Sequence, residues 1–147
     1  MTGVRQLCAV VATALWAGLG GALAQQPIVP ERITFSSLDG KTTLQAFLLR
    51  PHGDGIHAAR VLLHGCTGLQ SDRRMLPIYR VWSRMFALRG YVVLVVDSAG
   101  SRGFDETCTA RPERITMFAE RPKDVYAALQ YLRAQPFVRA DRIGILG

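Results

Sequence analysis

The chain has 147 residues, of which 49% are hydrophobic and 20% are charged. This composition is typical of a folded globular domain and excludes a disordered chain. Lys and Arg total 18 against 11 acidic residues, for a formal net charge of +7. The cations are scattered and lack the clustering or aromatic interleaving of a nucleic-acid face, so we expect no nucleic-acid binding.

Residues 1–24 have the pattern of a secretory signal peptide. Arg5 precedes the apolar run 7–19, and a small-x-small sequence at 22–24 stands directly before Gln25. The alternative is a membrane anchor, but three glycines interrupt the run, which is shorter than the ~20 apolar residues that a spanning helix needs. We therefore predict cleavage before Gln25, export to the periplasm or the exterior, and no membrane association afterwards.

The remainder, residues 25–147, is predicted to form one domain that begins with an antiparallel hairpin. Two strand-like stretches, 32–36 and 43–50, are separated by the turn sequence Asp39-Gly40-Lys41. The second stretch alternates apolar and polar residues, which is typical of a strand with one buried face.

Three short apolar runs then alternate with two helical patterns. The runs are 60–63, 91–96 and 143–146, and apolar residues recur at helical spacing within 78–86 and 125–132. Fully apolar runs of this length suit strands that are buried on both faces of a parallel sheet. The sequence therefore predicts an α/β fold, a doubly wound and mostly parallel sheet entered through the hairpin.

Three signals predict the boundaries of the helices. Arg89-Gly90 predicts the end of the first helix, and Pro122 is expected as the first residue of the second. Asp124 is then expected near the positive end of the second helix dipole.

In an open parallel sheet, ligands bind beyond the carboxyl ends of the strands. The loop after the first apolar run is His64-Gly65-Cys66-Thr67-Gly68. Its two glycines allow a sharp turn that exposes amide N–H groups, which is what stabilising a developing oxyanion requires. The same pattern also fits a tight turn without chemistry.

Two further loops follow the other runs. In the loop 97–103, Asp97 is expected to hydrogen-bond the turn rather than touch substrate. Arg102 could bind an acidic substrate group, since guanidinium suits carboxylates, or could be a surface cation. Gly147 directly follows the third run, as the first glycine of a G-x-S-x-G nucleophile elbow would.

Four linked segments, 61–68, 89–98, 121–129 and 141–147, resemble the first half of dienelactone hydrolase family proteins in order and spacing. The resemblance implies an α/β-hydrolase fold and cleavage of a small-molecule ester or lactone by a Cys or Ser nucleophile with Asp and His. It implies no cofactor. In the family the order is nucleophile, acid, then His, which would place all three beyond Gly147.

By this resemblance, the backbone N–H of Cys66 is the expected oxyanion-hole donor, with Gly65 and His64 shaping the loop. No residue present matches a triad member. Cys66 is a poor candidate nucleophile because it follows the wrong strand and no base is placed to activate it.

Cys66 and Cys108 remain once Cys8 leaves with the signal peptide. Both follow parallel strands at the same edge of the sheet, so after export they could form a disulfide. The alternative is two separate buried thiols. We predict no metal site, because two thiols and three histidines give no tetrahedral set at recognisable spacing.

The leading hypothesis is an exported hydrolase of the dienelactone hydrolase type, present as an incomplete chain that is inactive alone. One alternative is a serine esterase or peptidase of the same fold. Another is a non-catalytic exported binding domain or a gene relic. A nucleotide-binding Rossmann domain is disfavoured because G-x-G-x-x-G is missing after the first apolar run.

Overall fold

The structure, a computed structural model, describes residues 26–109, 116 and 119–147. The predicted signal peptide therefore lies outside the described residues. The strands and helices are β1 (Glu31–Ser36), β2 (Thr43–Leu49), β3 (His57–Leu63), β4 (Gln70–Ser71), β5 (Arg74–Met75), α1 (Pro77–Leu88), β6 (Val92–Asp97), α2 (Glu120–Arg133) and β7 (Val138–Leu146), with a short 3₁₀ turn at Gly100–Arg102.

Five strands form one mixed sheet in the order β1-β2-β6-β3-β7. β2 pairs with β1 and with β6 in the antiparallel sense, whereas β6, β3 and β7 are parallel neighbours. All of these strands except β2 therefore run in the same direction. The predicted fold class, an α/β sheet entered through an antiparallel hairpin, is confirmed.

The two helices cover opposite faces of this sheet, and β6 lies in its middle. All six residues of β6 are buried. Val92, Leu94 and Val96 pack in the core cluster that contains residues of α2, while Val93 and Val95 pack in the cluster on the α1 side. This alternation explains why the β6 sequence is continuously apolar.

Two strands start earlier than the apolar runs indicated. β3 begins at His57 and β7 at Val138, and these two residues pair with each other. After Val138, the first half of β7 is exposed and contains no large apolar residue, which is why it lacked an apolar signal. The outer edge of β7 pairs with no strand among the described residues, and Ile145 and Leu146 are each 47% exposed.

The predicted end of the first helix at Arg89-Gly90 is confirmed, since α1 ends at Leu88 and Gly90 follows with a φ of 86°. The predicted start of the second helix at Pro122 is wrong, because α2 begins at Glu120. Proline is tolerated throughout the first helical turn, where backbone N–H groups have no intrahelical acceptor anyway. Neither described helix is long and apolar enough to cross a membrane.

A small hairpin, β4 with β5, was not predicted. Its two turn residues, Asp72 and Arg73, have φ values of 49° and 61°. Such turns normally signal themselves by Asn-Gly or Asp-Gly, and neither pair occurs here. The Leu76 N–H donates to the Leu69 carbonyl at 2.9 Å, so the hairpin closes on itself and leads directly into α1.

Candidate functional site

The candidate site lies at the carboxyl ends of the three parallel strands. β3 stands between β6 and β7 in the sheet, so the loop after β3 lies between the loop after β6 and the end of β7. We call residues 64–68 the oxyanion loop, after the role that the resemblance implies for it. A β-carbon added to Gly147 would lie 2.8 Å from the Leu63 β-carbon, which shows how closely the ends of β3 and β7 approach.

His64 braces the oxyanion loop against the loop after β6. Its side chain is 1% exposed. Nε2 accepts the Ala99 N–H at 3.2 Å, and Nδ1 lies 2.7 Å from the Gly65 carbonyl oxygen, to which it donates. These partners assign the neutral ring with its proton on Nδ1. The backbone oxygen of His64 also accepts a hydrogen bond from Arg121, so both loops and α2 meet at this residue.

Burial lowers the pKa of His64 below its ordinary value, and the Arg121 cation acts in the same direction. The hydrogen bond to the Gly65 carbonyl and the Asp97 carboxylate oppose the shift without reversing it. The folded protein therefore holds His64 neutral more strongly than the unfolded chain does.

This shift predicts that the free energy of unfolding falls as the pH is lowered through the ordinary His pKa of 6.5. The unfolded state binds the proton more readily in that range, so acid favours unfolding by at most about 1.4 kcal/mol per pH unit. Urea denaturation at pH 7.5 and 5.5 measures the effect. The variant His64→Gln should lose most of this dependence, and an unchanged dependence would contradict the assignment.

The backbone amides of the oxyanion loop are not equally available. The Gly65 N–H donates to the Tyr79 hydroxyl oxygen at 2.8 Å, and the Gly68 N–H donates to the Gly65 carbonyl at 3.2 Å. By contrast, the Cys66 N–H makes no hydrogen bond to another described residue. The same holds for the Thr67 N–H. Cys66 and Thr67 are both exposed, and of these two unengaged donors the resemblance points to the Cys66 amide.

An apolar cavity of about 240 Å³ lies beside the oxyanion loop, between α1 and the end of β7. Its position places a pocket next to the point where a residue following β7 would emerge. It is lined by Leu62, Leu63, Gly65, Ile78, Tyr79, Trp82, Leu146 and Gly147.

Cys66 and Cys108 form a disulfide in the structure, with their Cα atoms 4.8 Å apart. Of the two alternatives left open by the sequence, the structure therefore has the bonded pair. The bond joins the oxyanion loop to the segment that follows β6. The two segments are close elsewhere too, since a β-carbon added to Gly68 would lie 2.0 Å from the Asp105 carbonyl oxygen.

Asp97 holds the turn after β6 and is 2% exposed. Its Oδ1 accepts the Gly100 N–H at 2.8 Å, and its Oδ2 accepts from the Gln70 amide nitrogen at 2.7 Å. With both carboxylate oxygens engaged in this way, the carboxylate organises the loop, as its sequence context indicated.

Arg102 is buried rather than exposed, with its side chain 6% accessible. Its guanidinium donates to both carboxylate oxygens of Asp124, at 2.8 and 2.9 Å, and to Asp39 at 2.8 Å. A further bond reaches the Ser98 carbonyl at 2.9 Å. This geometry corrects the hypothesis that Arg102 binds an acidic substrate group, because the protein's own carboxylates already occupy that end of the guanidinium.

Sequence reasoning missed the two partners of Arg102. Asp39 was assigned only to a turn, and Asp124 only to the helix dipole. In the structure Asp124 is fully buried and also accepts from the Ser37 hydroxyl at 2.7 Å. For Asp39, burial alone would raise the carboxyl pKa. Hydrogen bonds from Thr42, Lys41 and Arg102 outweigh burial and hold the pKa of Asp39 well below its usual range. We call Asp39, Arg102 and Asp124 the buried ion network.

Within the described residues, no group of three or more His, Cys, Asp or Glu side chains could hold a metal ion.

No protein-family model matches the chain, and no curated protein matches it either. Solved structures do match. The 2,6-dihydroxy-pseudo-oxynicotine hydrolase is 24% identical with a TM-score of 0.58, over 80% of this chain and 29% of that chain. Esterase Est22 is 22% identical with a TM-score of 0.58, over 81% of this chain and 34% of that one. The acylaminoacyl peptidase of Pyrococcus horikoshii is 22% identical with a TM-score of 0.58, over 82% and 19%.

These likenesses show the fold. The chain has the α/β-hydrolase type of sheet that is found in these esterases and peptidases. It spans about a third or less of the length of each of these solved structures.

Proposed function

We propose that this chain forms the oxyanion-hole part of an exported hydrolase of the dienelactone hydrolase type, which cleaves a small-molecule ester or lactone. The observation that carries the proposal is the unengaged Cys66 N–H, held at the carboxyl edge of the sheet beside the end of β7. An amide there suits a nucleophile emerging after Gly147, as the resemblance implies.

In the proposed reaction, the His of the triad takes the proton of a Cys or Ser located after β7. The sulfur or oxygen of that residue attacks the substrate carbonyl, and the carbonyl π electrons move onto the oxygen. The Cys66 N–H donates to that oxyanion, which stabilises the tetrahedral intermediate. The intermediate collapses with loss of the alkoxide, which takes a proton from the His of the triad. Water then gives a proton to the same His and attacks the acyl-enzyme through a second such intermediate. Its collapse breaks the bond to the nucleophile, which regains that proton, and releases the acid. Opening a lactone leaves acid and alcohol in one product molecule.

Two observations support export. The segment before Gln25 has the pattern of a signal peptide, and the Cys66–Cys108 disulfide is of a kind that persists outside the reducing cytosol. We expect the exported protein to begin at Gln25. N-terminal sequencing of protein recovered from the periplasm or medium measures this, and recovery of an intact Met1 would contradict cleavage.

Two other functions fit the same fold. A serine esterase or peptidase is a second candidate, since one of the solved structures that the chain resembles is named as an acylaminoacyl peptidase. A non-catalytic binding domain is the third. The DNA after codon 147 separates them first: x-Ser/Cys-x-Gly followed by Asp and His favours an enzyme, and a stop codon favours the binding domain.

The direct test is turnover. Protein made from the reading frame continued past codon 147 is expected to hydrolyse p-nitrophenyl esters or dienelactone, whereas the chain ending at Gly147 should match the buffer blank. Hydrolysis of peptide p-nitroanilides in preference to esters would favour the peptidase. Absence of any turnover from the longer protein, or ester turnover by the chain that ends at Gly147, would contradict the proposal.

A further inference from the structure

We propose that Cys108 and Thr107 are positioning residues for the oxyanion loop, and that reduction of the Cys66–Cys108 disulfide releases that loop. We call Cys66, Thr107 and Cys108 the latch. The part that concerns catalysis rests on the proposed function above, whereas the part that concerns the loop conformation rests on the structure alone.

The latch holds Cys66 at two points. Its Sγ is bonded to Cys108, and its carbonyl oxygen accepts the Thr107 N–H at 2.7 Å. Two adjacent residues of one segment therefore fix both the side chain and the carbonyl of Cys66. Neither contact uses the Cys66 N–H, which stays available for a ligand.

The preceding peptide plane is held independently. The Gly65 carbonyl oxygen accepts from His64 Nδ1 at 2.7 Å and from the Gly68 N–H at 3.2 Å. In a trans peptide the N–H points opposite to the carbonyl. The two hydrogen bonds to the Gly65 carbonyl therefore fix the peptide plane that contains the Cys66 N–H. The latch fixes Cys66 on the other side of this N–H, so the direction in which the amide donates is defined by contacts on both sides.

The segment that carries Thr107 and Cys108 is stabilised by hydrogen bonds within itself. The Glu106 carboxylate accepts the Cys108 N–H at 2.6 Å and the Thr109 N–H at 3.0 Å. Among the described residues, this segment is joined to the oxyanion loop by the disulfide, by the Thr107 hydrogen bonds to Cys66 and by the close approach at Gly68. The disulfide is the covalent part of this connection and closes a sequence separation of 42 residues, so breaking it leaves the Thr107 N–H bond at 2.7 Å as the shortest contact to Cys66.

The disulfide is also reachable by reductants. Cys66 and Cys108 are both exposed, unlike the buried bonds that resist reduction, and exposed disulfides are the labile ones. A dithiol reductant would attack one sulfur through its thiolate, form a mixed disulfide and then close its own disulfide. Two electrons and two protons pass to Cys66 and Cys108, which become thiols.

The test compares the full chain, purified in its oxidised state, with the same protein in dithiothreitol by amide NMR and hydrogen exchange. On reduction, we expect the Cys66 and Thr107 amide resonances to move. We also expect exchange of the Thr107 amide, which donates to the Cys66 carbonyl, to accelerate at least about tenfold. The Val93 and Val95 amides of β6 should keep their positions and rates. The double variant Cys66→Ala/Cys108→Ala, measured without reductant, should reproduce the reduced spectrum.

Unchanged Cys66 and Thr107 resonances after reduction would overturn the proposal. So would equal acceleration of all amides, or loss of all native resonances in the double variant, because the disulfide would then stabilise the whole fold and not this loop. In a protein that turns over ester, reduction should lower kcat at least about tenfold with little change in KM. The NMR result does not depend on turnover, so failure of the latch and failure of the proposed hydrolase are distinguished.

Discussion

The variant Asp124→Ala is expected to lose about 3–5 kcal/mol of unfolding free energy, which is the usual cost of removing one partner of a buried ion pair. The change leaves the Arg102 guanidinium buried, with Asp39 as its remaining carboxylate. The Ser37 hydroxyl loses its acceptor as well. A domain of this size is stable by about 5–15 kcal/mol, so the loss would remove a large share. Urea denaturation followed by circular dichroism measures it.

The matched control is Asp54→Ala, because Asp54 is exposed and surface substitutions usually stay within about 0.5 kcal/mol. The double variant Arg102→Ala/Asp124→Ala should cost less than the sum of the single variants, with a coupling of about 0.5–3 kcal/mol. If the unfolding free energy of Asp124→Ala stayed within about 0.5 kcal/mol of the parent, as for a surface substitution, the stabilising role of the buried ion network would be contradicted.

The strands of the sheet core could be predicted because burial on both faces removes polar residues from the sequence. β6 shows this most clearly, with every residue buried. The first half of β7 could not be found in the same way, because it lies exposed at the edge of the described sheet. Only Val138 of this half pairs with β3, at His57, before the register shifts to the Ala59–Ile143 pair, so residues 139–142 are not held between neighbouring strands.

The candidate loops were predictable for a different reason. Parallel strands bring their carboxyl ends to one edge of the sheet, so the residues after each apolar run meet whatever their separation in sequence. This reasoning also brought Cys66 and Cys108 to one edge. It did not indicate that Tyr79, on α1, would occupy the Gly65 N–H, since side-chain reach from a helix depends on packing.

The buried ion network was missed because its members lie far apart in the sequence. Arg102 is 63 residues from Asp39 and 22 from Asp124, and neither spacing is a recognisable motif. One signal was present. Asp124 stands three and four residues before Ala127 and Ala128, on the buried stripe of α2. A carboxylate on an apolar stripe indicates a buried cationic partner.

If the Cys66 N–H stabilises the oxyanion, proline at position 66 should slow the reaction because it removes that N–H. Proline also breaks the disulfide, so the comparison is made between Cys66→Pro/Cys108→Ala and Cys66→Ala/Cys108→Ala, which both lack the bond. The measured quantity is kcat for p-nitrophenyl ester hydrolysis by the protein continued past codon 147. Circular dichroism spectra of the two variants should match, to exclude a difference in folding.

Loss of one oxyanion-hole donor lowers kcat by about 10²–10³-fold. The alanine variant already loses about tenfold of this contribution because its oxyanion loop is released, so we expect the proline variant to be slower than the alanine variant by about 10–10²-fold. The change in KM should be smaller because the donor acts mainly in the transition state. Equal kcat values for two folded variants would show that the Cys66 amide does not contact the oxyanion and would contradict its role as the oxyanion-hole donor.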